Sequence, residues 1–86
     1  MHYSQIYWTL KSILAKLTGR SSSEIFADQN LVTDLRFTDQ GKASLNADIN
    51  RGFADENFPI SPALRPGETR NAATVRDLYK LISKRF

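Results

Sequence analysis

The sequence predicts a small all-α fold, a bundle of three main helices with a long first loop and at most a short extra helical turn before the last helix. Three observations predict it. Large apolar residues recur at helical spacing in three separate segments. Good cap residues stand at the ends of those segments: Gly19 after the first, Thr38 before the second and Thr74 before the third. Pro62 and Pro66-Gly67 then forbid a long helix between residues 60 and 68.

The first helix is expected from about Ser4, its cap, to about Leu17. Ile6, Leu10, Ile13, Leu14 and Leu17 keep the spacing of a core stripe, and Gly19 follows where a left-handed cap is cheap. Tyr3, Tyr7 and Trp8 lie partly off that stripe and read as an aromatic flank half-packed against a neighbouring loop, with a partner surface as the alternative. Arg20–Ser23 is polar and ends the helix. Glu24-Ile25-Phe26 opens a long connection whose anchors are Ile25 and Leu31. So long a connection in so small a domain must bury side chains, and such segments often carry function.

The stretch Asn30–Phe53 is the one around which the chain is organised. Thr38 can cap a helix with its hydroxyl, and Asp39 behind it suits the positive end of the helix dipole. Leu45, Ile49 and Phe53 then recur every four residues on one stripe. An acidic patch follows at Ala54-Asp55-Glu56-Asn57, then Phe58-Pro59-Ile60. In the last helix, Thr74-Val75-Arg76-Asp77 reads as a capping box with Asp for the usual Glu. Val75, Leu78, Tyr79 and Ile82 form its apolar stripe, while Lys80, Lys84 and Arg85 suit its negative end. The predicted core contains Leu10, Leu14, Leu35, Leu45, Ile49, Phe53, Val75 and Ile82. There is no internal repeat and no low-complexity segment.

Composition narrows the function classes. Eighty-six residues make one domain, and 41% hydrophobic with 24% charged residues is ordinary for a soluble globular fold. The absence of cysteine excludes disulfides and thiolate chemistry. His2 is the only histidine and stands near the start of the chain, which argues against metal clusters and Ser-His-Asp catalysis. No catalytic or metal-ligating residue is nominated, and the chain is not expected to be an enzyme. No apolar run is long enough to span a bilayer and no signal-peptide pattern precedes Ser4, so the expected compartment is the cytoplasm and no membrane partner is expected. The net charge is +3, but the bases gather in residues 1–20 and 58–86, whereas residues 21–57 hold most of the acids. A nucleic-acid binder concentrates its bases on one face, so no nucleic-acid partner is expected; a small basic nucleic-acid-binding bundle stands as a third hypothesis.

At this point the pattern resembles the acyl carrier protein family, also called peptidyl carrier or thiolation domains. In that family a first helix leads into a loop with a Glu-Val…Phe-Val-x-Asp-Leu-Gly segment, and an Asp-Ser-Leu motif opens the second helix. That helix ends at a Phe, followed by Ile-Pro, a short third helix and a Thr-Val-starting last helix. Here Glu24-Ile25 stands for Glu-Val and Leu31-Val32-Thr33-Asp34-Leu35 for Phe-Val-x-Asp-Leu. Leu45, Ile49 and Phe53 fall on the inward positions of the second helix. Phe58-Pro59 matches Ile-Pro after a one-residue insertion, and Ala73-Thr74-Val75 matches the start of the last helix. The resemblance covers nearly the whole chain and implies a single acyl-carrier-like helical domain over residues 1–86.

The departure falls at the attachment residue. Counted without gaps from Asp34-Leu35, the family's serine falls on Asp39 and its preceding Asp on Thr38. The carrier mechanism needs a hydroxyl there, because 4'-phosphopantetheine is joined to it as a phosphodiester at the helix start. An aspartate cannot carry the arm, and in this preferred register no cofactor is expected. A second register, with the loop five residues longer, makes Ser44-Leu45 the Ser-Leu pair and Ser44 the attachment site. Lys42-Ala43 would then precede it, neither of them a good cap, and the helix to Phe53 would be very short. The second helix also carries Lys42 and Arg51 against Asp39 and Asp48, with Asn46, Ala47 and Asn50 between. That near-neutral face is either solvated or an altered partner site.

The leading expectation is therefore a monomeric, non-enzymatic, carrier-like domain without its arm, acting through protein partners such as biosynthetic enzymes. The alternative is a divergent carrier modified at Ser44 that serves fatty-acid, polyketide or nonribosomal-peptide biosynthesis.

Overall fold

A computed structural model describes residues 2–86, and the chain is all helical with no strand among them. Helix α1 spans Tyr3–Thr18, α2 Asp39–Asp55, α3 Pro66–Asn71 and α4 Val75–Ser83, with one 3-10 turn at Ser22–Glu24. The radius of gyration is 11.4 Å, against the ~12 Å of a compact chain of this length. The long loop therefore lies on the bundle and does not project from it.

The cap of α1 lies two residues earlier than the sequence suggests. Its N-cap is His2, whose Nδ1 accepts from the Ser4 amide at 3.3 Å while Gln5 Oε1 accepts from the His2 amide at 3.3 Å. Ser4 is therefore inside the helix and not its cap. At the other end Gly19 takes φ 70° and its amide reaches Ala15 O, the left-handed cap that the glycine predicts. Ile6, Leu10 and Leu14 face the core with no exposure. Leu17 does not, at 43% exposed. The buried stripe passes instead through Leu14 and Ala15, which leaves Leu17 over a shallow cleft beside Asp48 and Arg51.

Between the 3-10 turn and α2 the chain has no regular structure, yet it is firmly held. Ile25, Leu31 and Leu35 are buried at 3% exposure or less. Its backbone pairs with the start of α4: Leu31 N donates to Ala73 O at 2.9 Å, Val75 N to Gln29 O at 3.1 Å and Arg76 N to Ala27 O at 2.8 Å. Side chains complete the pairing. Asn30 Oδ1 accepts from the amides of Val32 and Thr33, Asp34 Oδ2 accepts from Asn30 N at 2.7 Å, and Gln29 bridges Phe26 N and Glu24 O.

α2 presents Leu45, Ile49 and Phe53 to the core, all fully buried, and Phe53 stacks on Phe86 with ring centroids 6.2 Å apart. Gly52 lies where α2 meets α1, and a Cβ there would sit 2.5 Å from Ile13 Cδ1. A mid-helix glycine costs roughly 1 kcal/mol relative to alanine; here it permits the close approach. α2 ends in a Schellman motif with Asn57 at φ 65°, Phe58 N bonding Phe53 O and Asn57 N bonding Ala54 O.

α3 is the short helix allowed for before the last one, but its six residues make more than one and a half turns, beginning at Pro66 and running past residue 68 to Asn71. Pro66 occupies its first position and Glu68 Oε1 accepts from Arg65 N. α4 starts as expected: Thr74 Oγ1 accepts from Asp77 N at 3.2 Å, and Asp77 Oδ2 accepts from the amides of Ala73 and Thr74. Arg85 ties the end of the chain to α3. Its Nη2 lies 2.9 and 2.8 Å from the two Glu68 oxygens, its Nε donates to Pro62 O and its Nη1 to Leu81 O.

All eight residues assigned to the core from sequence are buried. Phe53→Ala is expected to cost about 3–5 kcal/mol in urea or thermal unfolding, since it empties the centre of the core and removes the partner of Phe86. A loss below about 1 kcal/mol would mean that Phe53 is not a central core residue.

The Arg85 hydrogen bonds, followed by the Arg65 amide, hold the Glu68 carboxyl below its ordinary value. The Ala73 and Thr74 amides do the same to Asp77. Both groups bind protons more weakly folded than unfolded, so their stabilisation is present above the ordinary carboxylate range. It is lost as pH falls through their depressed folded values. Glu68→Gln should therefore lower stability at neutral pH, and the difference from the parent chain should shrink towards pH ~3. Urea titrations of both chains at the two pH values check this.

Candidate functional site

The start of α2 is assembled by the turn before it. Arg36 takes φ 65°, a left-handed conformation that costs a residue with a Cβ roughly 1–2 kcal/mol. Two hydrogen bonds hold it there, Arg36 N to Val32 O at 3.1 Å and Phe37 N to Leu31 O at 2.9 Å. Phe37 is half-buried against the core. Thr38 caps the helix as its sequence predicts, its Oγ1 accepting from Gly41 N at 2.9 Å.

Asp39 is the first residue of α2 and is exposed. Its Oδ2 lies 2.8 Å from Arg70 Nη2 on α3. Ser44 is the sixth residue of the helix, roughly 7.5 Å further along the axis, and its hydroxyl donates to Gln40 O at 3.0 Å. The two candidate attachment residues thus share a helix but form no common site. Ser44 belongs to the outward stripe Gln40, Ser44, Ala47, Arg51 and Ala54, all exposed.

The remainder of the suggested partner face is not free. Lys42 is only 9% exposed and so presents little to a partner. Asn50 binds both backbone groups of Leu64, accepting from its amide at 3.0 Å and donating to its carbonyl at 3.0 Å, and Asn46 donates to the same carbonyl at 3.2 Å. These asparagines fasten the segment before α3 to α2. Of the charges on this helix, Arg51 pairs with Asp48 at 3.3 Å and Asp39 with Arg70. What α2 offers outward is a narrow, nearly neutral strip.

The aromatic flank of α1 packs differently from the expectation of a loop neighbour. Tyr7 meets Tyr79 of α4 edge to face, with centroids 5.9 Å apart, while Tyr3 and Trp8 remain exposed. Lys11 Nζ sits 5.1 Å from the Tyr7 ring centroid and 5.5 Å from that of Trp8.

Sequence reasoning missed the roles of Arg70, Asn46, Asn50 and Arg85, whose partners are distant in the chain and leave no local pattern. The start of α3 did leave one, in Arg65-Pro66-Gly67-Glu68, with proline at the first position and an acid two residues on. Among the described residues no cluster of His, Asp or Glu could hold a metal ion, and no buried side-chain polar atom lacks a hydrogen-bond partner. Among the described residues no helix is long and apolar enough to cross a membrane. No protein-family model matches the chain, and neither the curated proteins nor the solved structures give a significant match.

Asp39→Ala should cost less than about 1 kcal/mol, because the pair with Arg70 is exposed. Ser44→Ala should be neutral or stabilising by up to about 0.5 kcal/mol through helix propensity. Urea unfolding of the two variants checks both, and a loss above ~2 kcal/mol at either position would indicate a structural role that these exposed sites do not display.

Proposed function

We propose that this chain is an acyl-carrier-like helical domain without a phosphopantetheine arm, and that it acts through protein–protein contacts and not by catalysis. The observation that carries the reading is the start of α2. Thr38 caps the helix and Asp39 is its first residue, so the gap-free register from Asp34-Leu35 meets the helix where the resemblance requires an attachment hydroxyl. A carboxylate engaged by Arg70 stands there instead. The conformation of Arg36 supports the same register, since the motif that Asp34-Leu35 resembles continues with glycine and Arg36 takes the left-handed backbone that glycine favours. The succession of a long first helix, a pinned loop, a core-facing second helix, a short third and a Thr-capped last helix is also the one the resemblance implies.

One observation favours the second reading, a divergent carrier modified at Ser44: that residue is exposed on the outward stripe of α2. Its position argues the other way. The amides at the helix start, which favour a phosphate, lie a turn earlier, and the Ser44 hydroxyl is already bonded to Gln40 O.

Incubation with coenzyme A and a broad-specificity phosphopantetheinyl transferase, read by intact mass, separates the two. The parent chain is expected to remain unmodified, and Ser44→Ala to be silent. Asp39→Ser restores a hydroxyl at the helix start and is expected to give at most slow modification, because Thr38 still replaces the acid before it. A parent chain that gains one phosphopantetheine, and loses that gain with Ser44→Ala, would make the protein an active carrier.

A further inference from the structure

The basic ends of the chain are far apart in sequence but adjacent in the fold, because α1 packs against α4. A groove of about 400 Å³ lies between them, and its lining includes Tyr3, Tyr7 and Tyr79, with Ala27 of the loop on one side and Arg76 and Lys80 of α4 as its charged groups. Its volume is within the range of ligand-sized clefts, roughly 300–1,000 Å³. No acid lines it. Neither Arg76 nor Lys80 has an ion-pair partner among the described residues, in contrast to Arg51, Arg70 and Arg85. The closest acid along α4, Asp77, turns its carboxylate back onto the amides of Ala73 and Thr74.

We propose that this groove, and not α2, is the docking surface of the domain, and that its occupant is a short acidic amphipathic segment of a partner protein. An apolar or aromatic side chain of that segment packs against Tyr3 and the Tyr7–Tyr79 pair, and its carboxylates meet Arg76 and Lys80. Charge complementarity selects the sign of the occupant. Spacing selects its form: Arg76 and Lys80 are four residues apart on one helix, about 6 Å along the axis, which matches acids one turn apart on a facing helix. The rings favour a peptide over single-stranded nucleic acid. Base stacking along a strand needs several free aromatic faces, whereas Tyr7 and Tyr79 are engaged edge to face and the Lys11 ammonium lies over Tyr7, which leaves Tyr3 as the one exposed ring of the groove. The inference rests on the reading that the domain works through protein contacts, but not on its resemblance to carriers.

The test is a selection of displayed random dodecapeptides on the immobilised full chain. The strongest consensus peptide is then labelled and titrated by fluorescence anisotropy. The expected consensus places Asp or Glu one turn apart around a Phe, Trp or Leu, and its amide-shift map centres on residues 3–7 and 76–80. The double variant R76E/K80E should weaken binding at least tenfold, while R51E on α2 should change it by less than twofold. Both variants replace exposed side chains with a good helix former, and circular dichroism verifies that they fold. Failure to enrich any peptide, a basic consensus, or sensitivity to R51E and not to R76E/K80E overturns the proposal. A labelled single-stranded DNA dodecamer that binds more tightly than the peptide, with the same R76E/K80E sensitivity, overturns it in favour of nucleic acid. The coenzyme A assay reads the arm separately: a phosphopantetheinylated chain that still binds acidic peptides through Arg76 and Lys80 would remove the armless reading and leave this surface standing.

Discussion

The fold depends on carrying an irregular loop across a helical core. From Ile25 to Thr38 the chain has neither helix nor strand, and it must still bury Ile25, Leu31 and Leu35 while pairing its backbone groups. An unpaired amide or carbonyl buried there would cost as much as the apolar contacts gain. The solution is a short antiparallel contact with the residues just before and at the start of α4, where Leu31 N meets Ala73 O and Val75 N meets Gln29 O. The first turn of a helix has free amides to give, and the loop supplies their acceptors. Loop and α4 thereby fix each other, and α2 can begin only where the loop delivers it.

Around that joint, two polar clamps do what apolar packing does not specify. Asn50 holds both backbone groups of Leu64, which sets α3 against α2. Arg85, only 13% exposed at its side chain, donates to both carboxylate oxygens of Glu68 and also to Pro62 O, which sets α3 against α4. Hydrophobic burial is non-directional; these bonds are directional and choose one arrangement of a six-residue helix too short to position itself. The ion pair of Asp39 with Arg70 follows from that placement, since Arg70 rides on α3.

The functional readings draw on separate surfaces. The start of α2 bears on whether an arm is present, and the groove between α1 and α4 bears on where a partner sits. Residues 1–20 and 58–86 each carry an excess of base, and their separation along the chain suggests a diffuse charge. Folding sets Arg76 and Lys80 of the second of these segments beside Tyr3 and Tyr7 of the first and Tyr79 of α4. No acid of the central segment lines that groove, so a chain of modest net charge acquires a locally positive cleft.

The sequence by itself determined the three main helices, the caps Gly19, Thr38 and Thr74, and the centre of the core. Helical spacing and cap chemistry are local properties, readable within one or two turns, which is why Thr38, Thr74, Gly19 and the Leu45-Ile49-Phe53 stripe were legible. It also placed Asp39 and Ser44 five residues apart on one helix. The misreadings at Ser4 and Leu17 are of helix ends, where a side chain as ordinary as His2 can cap and where a stripe leaves the core. The partner of Asp39, the burial of Lys42, the tethering of Asn46 and Asn50 to Leu64, and the meeting of Tyr7 with Tyr79 were decided only by the tertiary structure. Each joins residues distant in the chain through contacts that no local spacing encodes, and the use to which a polar side chain is put depends on which backbone the fold brings within reach of it.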